Sequence, residues 1–141
     1  MNIYNLAQIE TPRLIIRPVQ LGDEIEINAA INRSLPSLQQ WMPWAKDPSL
    51  ETTRQFVKRT LATWQSKNAI EFPLVVIHKT YNRIIAATGF NEQSVPVIPF
   101  YEIGYWIDSE FGGAGFVSEY VNAITRYALD VLSAQRVQIS I

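Results

Sequence analysis

Gly112, Gly113 and Gly115 sit close together between a β-rich run and an amphipathic stretch, and this constrains the fold more than any other feature. Tyr101 to Ile107 carries aromatic and β-branched residues and reads as a strand. From Val117 to about Leu132 the apolar positions Val121, Ile124, Ala128 and Leu129 recur at helical spacing. Arg136 to Ile141 reads as a last strand. A right-handed crossover through the helix sets that strand parallel to Tyr101–Ile107.

The stretch before this unit supplies the rest of a sheet. Leu14 to Arg17 reads as a first strand, stopped by Pro18. Asp23 and Glu24 open a first helix, where carboxylates suit the positive end, and Ile27, Ala30 and Ile31 form its apolar stripe. Ser34 to Pro48 reads as a loop carrying Trp41 and Trp44. Ser49 is placed to cap a second helix, with Glu51 in its first turn and Phe56, Val57, Leu61 and Trp64 on one side. Phe72–Ile77 and Ile84–Phe90 form a hairpin about the turn-like Thr80-Tyr81-Asn82-Arg83. Pro96 and Pro99 interrupt the loop that follows. The predicted order is β-α-α-β-β-β-α-β.

With 141 residues, 48% of them hydrophobic, and no Gly/Ser linker or repeat, the expectation is a single domain over residues 1–141. A net charge of -1 gives no basic surplus of the kind nucleic-acid binders show. There is no cysteine, so disulfides, thiol nucleophiles and thiolate metal sites are excluded. The single histidine, His78, rules out a histidine-rich metal site, and its place before a turn predicts a surface residue. No basic leader and no long apolar segment is seen, so the expectation is a soluble, cytoplasmic protein.

Glycines allow positive φ and close backbone approach to a ligand. A helix start offers unpaired N–H groups and partial positive charge, a seat for phosphate. The run is therefore either an anion site, such as one for a pyrophosphate, or an ordinary tight connection. No Gly-Lys-Ser/Thr follows and the spacing is not Gly-x-Gly-x-x-Gly, so a P-loop enzyme and a dinucleotide dehydrogenase are disfavoured.

Glu102-Ile103-Gly104-Tyr105-Trp106-Ile107 followed by Phe111-Gly112-Gly113-Ala114-Gly115-Phe116-Val117-Ser118-Glu119 resembles the cofactor region of the GNAT superfamily of N-acetyltransferases. The nearest branch is the RimJ/RimL type, the ribosomal-protein N-terminal acetyltransferases. Thr11-Pro12-Arg13-Leu14-Ile15-Ile16-Arg17-Pro18 resembles that branch's first strand, and Leu38-Gln39-Gln40-Trp41-Met42-Pro43-Trp44 its tryptophan-containing segment. The resemblance implies an α+β fold (α/β by some schemes): a mixed, mostly antiparallel twisted sheet flanked by helices. It also implies a C-terminal truncation, since relatives continue with another helix and two strands. The edge strand then left exposed would pair with a second copy as a homodimer or be covered by another partner.

The same resemblance implies acetyl-CoA as co-substrate, no metal, and an amine acceptor that is a protein or peptide N-terminus or a small amine. Backbone of Trp106, Ile107 and Asp108 would pair with the pantetheine arm. Gly112, Gly113, Ala114, Gly115, Phe116, Val117 and Ser118 would hold the pyrophosphate. Three positions depart from the family pattern: Gly112 and Ala114 lack side chains often found there, and Val117 is branched where a small residue is usual. Those departures, with the shortened end, make a catalytically impaired CoA-binding or partner-binding module the alternative.

Acetyl transfer needs a group to take the amine proton and one to protonate the leaving thiolate. Glu102 matches the family glutamate and is the candidate base; a structural carboxylate is the competing role. Ser118 is the candidate thiolate partner, against a simple first-turn hydroxyl. Asn91, Trp41 and Trp44 are candidates for the acceptor pocket, against turn polarity and loop packing. Glu119 is expected to complement the helix N-terminus.

Overall fold

Alternation along the second strand buries Leu14 and Ile16 completely and leaves Ile15 and Arg17 half-buried, so one face of that strand meets the core. The computed structural model describes residues 3–66, 69 and 71–140. It holds six strands: β1 (Ile9–Glu10), β2 (Leu14–Pro18), β3 (Phe72–His78), β4 (Arg83–Phe90), β5 (Phe100–Ile107) and β6 (Arg136–Ser140). They pair in sequence order, antiparallel except for β5 and β6, which run parallel. The helices are α1 (Glu24–Arg33), α2 (Leu35–Trp41), α3 (Leu50–Gln65) and α4 (Phe116–Asp130).

Each face of the sheet buries its own cluster. On one side α4 lays Tyr120, Val121 and Ile124 over Leu14, Leu74 and Ile103. On the other, α1 and α3 bring Ile27, Ile31 and Val57 over Val75 and Ile84. Each large apolar side chain so buried contributes about 1.5–3 kcal/mol. With helices on both faces, β3 and β4 lose the polar-out alternation, which is why they read as nearly unbroken apolar runs.

Most predicted elements appear close to their predicted limits. The first strand retains Pro18, and β1 precedes it. Ser34 to Pro48 is not a plain loop: α2 and a 3₁₀ turn at Pro43–Lys46 fill it, each with proline in its first turn, where a missing N–H costs nothing. Ser49 caps α3 by accepting from the Thr52 N–H at 3.2 Å. The fully buried stripe of α3 is Thr53, Val57 and Thr60, with Phe56, Leu61 and Trp64 packed at its borders. Leu129, expected in the buried face of α4, is 46% exposed; Phe116 and Tyr120 are buried in that face together with Val121, Ile124 and Ala128. Ile141 lies outside the described residues.

Two features mark the sheet around β5. β4 pairs with β5 as far as Ala86 opposite Ile107, whereas β6 follows β5 only to Ser140 opposite Gly104. Among the described residues, Tyr105–Ile107 therefore has a strand neighbour on one side only. Gly89 and Gly104 also face each other across β4 and β5. Gly89 is required there: its φ is +138°, and a Cβ would fall 2.2 Å from the Phe72 carbonyl oxygen.

Candidate cofactor and acceptor site

The glycine loop is exposed, but both its ends are tied down. At its upstream end, Asp108 is completely buried. One carboxylate oxygen accepts from Arg33 Nε and Nη2 at 2.8 and 2.6 Å, and the other from the Glu110 N–H at 3.0 Å. That ion pair raises the pKa of Arg33, chiefly through the hydrogen bond to Asp108. The Asp108 N–H donates to the Ile85 carbonyl at 2.7 Å. Ser109 adds an N–H bond to Ser34 Oγ at 2.8 Å. The C-terminus of α1 thus holds the end of β5.

Gly113 and Gly115 then take φ of 78° and 80°, and Gly115 is the N-cap of α4. No side chain caps this helix, so the N–H groups of its first turn remain open to a ligand. A Cβ at Gly113 would meet nothing within 4 Å, which leaves free space over the turn. Phe116 is buried and Val117 half-buried against the α4-side core, whereas Ser118 is exposed.

His78 is not a surface residue. It is 9% exposed, with its ring 5.2 Å from Phe116, 5.7 Å from Phe111 and 4.7 Å from Tyr81. Its Nδ1 accepts from the N–H groups of Thr80 and Tyr81, at 3.2 and 3.3 Å. Its position before a turn suggested exposure, but the phenylalanines flanking the glycine loop fold over it from far along the chain.

On the opposite face of the sheet lies a cleft of about 570 Å³. Gly89 and Gly104 border it, with Ile31, Phe56 and Trp106 beside them. Asp47, Glu71 and Arg59 add charge. Hydrogen bonds from Thr52 and Ser49 hold the Asp47 carboxyl below the usual carboxylate range. Asn91 also lines the cleft, and its Nδ2 donates to Glu102 Oε1 at 2.8 Å. Glu102 is buried just behind it, and its second oxygen accepts from Gln138 Nε2 at 3.0 Å.

The structure therefore joins Asn91 to Glu102, and Trp106 of β5 lines the cleft. Ser118 lies apart from the Glu102 network, on α4 beyond the loop. α2 carries Trp41 and the 3₁₀ turn carries Trp44, but the side chains of both lie outside the described parts of the structure. Arg13, Arg33, Gln138 and Arg59 were missed from sequence. Only Arg13 had a visible signal, as part of the Thr11–Pro18 segment; the others stand in ordinary polar positions. Among the described residues, no cluster of His, Asp and Glu could hold a metal ion, and no helix is long and apolar enough to cross a membrane.

A model of the Acetyltransferase (GNAT) domain family matches residues 13–141, which spans β2 to β6, the cleft and the glycine loop. The chain belongs to this GNAT acetyltransferase family. Solved GNAT structures share its fold at low identity. The ribosomal L7/L12 α-N-protein acetyltransferase RimL, without ligand, superposes with a TM-score of 0.81 at 22% identity, over 94% of this chain and 70% of that one. The ribosomal-protein-S5-alanine acetyltransferase from Vibrio fischeri gives 0.78 at 20% identity, over 95% and 73%. The microcin C7 self-immunity acetyltransferase MccE, in complex with acetyl-CoA and AMP, gives 0.81 at 19% identity, over 92% and 69%.

Proposed function

We propose that this GNAT protein transfers the acetyl group of acetyl-CoA to a primary amine, with a protein or peptide N-terminus as the favoured acceptor. One observation carries the reading: β5 leads from the 570 Å³ cleft, which Gly104 and Trp106 line, to the exposed glycine loop and the uncapped start of α4. A donor with a reactive end and an anionic end fits that path, and the RimL and MccE likenesses support it. Backbone of Trp106 to Asp108 would hold the pantetheine arm, and Gly112 to Ser118 the pyrophosphate. When bound, the donor supplies the thioester.

Asn91, Trp41 and Trp44 would orient the amine in the cleft. Glu102, directly or through a water, would take the proton that the amine loses as it forms its bond to the acetyl carbon and the carbon–sulfur bond breaks. Ser118 would assist return of a proton to the sulfur. Preorganised backbone N–H donors of β5 can stabilise the negative charge that develops on the acetyl oxygen.

Incubation with acetyl-CoA and a panel of peptides with free N-termini tests this, with thiol release and acetyl-peptide mass as readouts. Folded protein that releases no thiol above background with any amine would refute it. The burial of Glu102 behind Asn91, with both its oxygens already accepting amide hydrogens, favours a second reading, a CoA-binding module without turnover. Calorimetric CoA binding without acetyl transfer would decide for it.

A further inference from the structure

Arg13, just before β2, lies against the loop and the first turn of α4 together. Its Nη1 donates to the Ala114 carbonyl at 3.0 Å, and its Nε to Glu119 Oε1 at 2.6 Å. Its backbone N–H and the Thr11 hydroxyl both donate to Glu119 Oε2, at 3.0 and 2.6 Å. The guanidinium carbon stands 4.1 Å from the centre of the Phe116 ring. These contacts straddle Gly115, and a Cβ there would come 3.6 Å from Arg13 Nη2.

We infer that Arg13 is a positioning residue for the anion-binding loop, an inference that rests on the acetyl-CoA reading above. Two physical effects follow from the geometry. First, the bond to the Ala114 carbonyl fixes the peptide preceding the left-handed Gly115, so the loop's N–H groups keep one orientation before a ligand arrives. A glycine-rich loop without that tie would lose conformational entropy on binding. Second, Glu119 places a carboxylate in the first turn of α4, close to where the pyrophosphate would sit. Paired with Arg13 and bonded by Thr11, that charge is neutralised and turned away; unpaired, it would repel the anion. Arg13 thus acts through Ala114 and Glu119 rather than on the reacting atoms.

The test compares wild type, Arg13→Ala, Arg13→Lys and the double variant Arg13→Ala/Glu119→Gln by calorimetric titration with CoA and by initial rates. Two donors are used: acetyl-CoA, and acetyl-pantetheine, which lacks the nucleotide and its phosphates. Arg13→Ala is expected to weaken CoA binding and raise KM for acetyl-CoA roughly tenfold, with kcat within about threefold. Its rate with acetyl-pantetheine should match wild type, a result that general destabilisation would not give. Removing the unpaired carboxylate in the double variant should recover part of the lost affinity. Lysine, which keeps the charge without the fork, should fall between wild type and alanine. Equal CoA affinity in wild type and Arg13→Ala would overturn the inference, as would equal losses with both donors. Wild type that binds no CoA would instead overturn the underlying functional reading.

Discussion

The junction of α1 with the end of β5 can be broken from either side, and the two sides should not cost the same. Asp108 has no exposed side-chain surface, whereas the Arg33 side chain is 30% exposed. Arg33→Ala strands a carboxylate that water cannot reach, leaving it only the Glu110 N–H. Breaking a buried pair in this way costs about 3–5 kcal/mol. Asp108→Ala leaves Arg33 able to turn toward solvent and toward Glu110, 3.7 Å away, so its cost should be smaller, roughly 2–3 kcal/mol. With about 3 °C of melting temperature per kcal/mol for a chain of this size, Arg33→Ala should melt roughly 10 °C or more below wild type. The double variant should be more stable than Arg33→Ala alone, because the stranded charge is gone. Urea denaturation of the four proteins measures this directly, with unchanged slopes showing that only stability has moved. Strict additivity, or a loss below about 1 kcal/mol for Arg33→Ala, would refute the assignment of this pair as the loop's upstream anchor.

Gly89→Ala should prevent folding or cost upwards of roughly 3 kcal/mol, because its φ is positive and its Cβ would collide with the Phe72 carbonyl; circular dichroism and denaturation would show it. Burial raises the Glu119 pKa, but the hydrogen bonds from Thr11 and Arg13 outweigh it and leave a net lowering. A carboxyl lowered in the folded state stabilises fully above its unfolded value, near about 4.3, and loses that contribution as pH falls through the folded one. The melting-temperature gap between wild type and Glu119→Gln should therefore be widest near neutral pH and close as the pH drops below about 4; a gap that grows on acidification would contradict the ion pair. Ser49→Ala should remove the α3 cap and cost about 1 kcal/mol, read from the urea midpoint, while Ser49→Gly costs a few tenths.

Local chemistry made much of the site legible in the sequence. The glycines after Ile107, the helical spacing from Val117 and the alternation before it place an anion seat at a helix start, since these depend only on residues close in the chain. α2 escaped notice because Leu35–Trp41 is short, with no strong periodicity and prolines near both ends. The burial of His78 and the exposure of Leu129 were unreadable for a different reason. Each depends on tertiary packing: phenylalanines beside the glycine loop cover His78, whereas Leu129 stays 46% exposed.

The sequence alone therefore determined the element order apart from β1 and α2, the parallel crossover between β5 and β6, the cap at Ser49 and the family to which the motifs point. Those follow from periodicity, turn residues and the handedness of the crossover. Only the tertiary structure decided how the loop is held and what surrounds Glu102. Arg13 reaches Glu119 across 106 positions and Arg33 reaches Asp108 across 75, while Gln138 joins Glu102 through a neighbouring strand. Contacts of that kind leave no local pattern, because either partner alone is an ordinary surface charge or amide, and only the folded sheet makes them a pair.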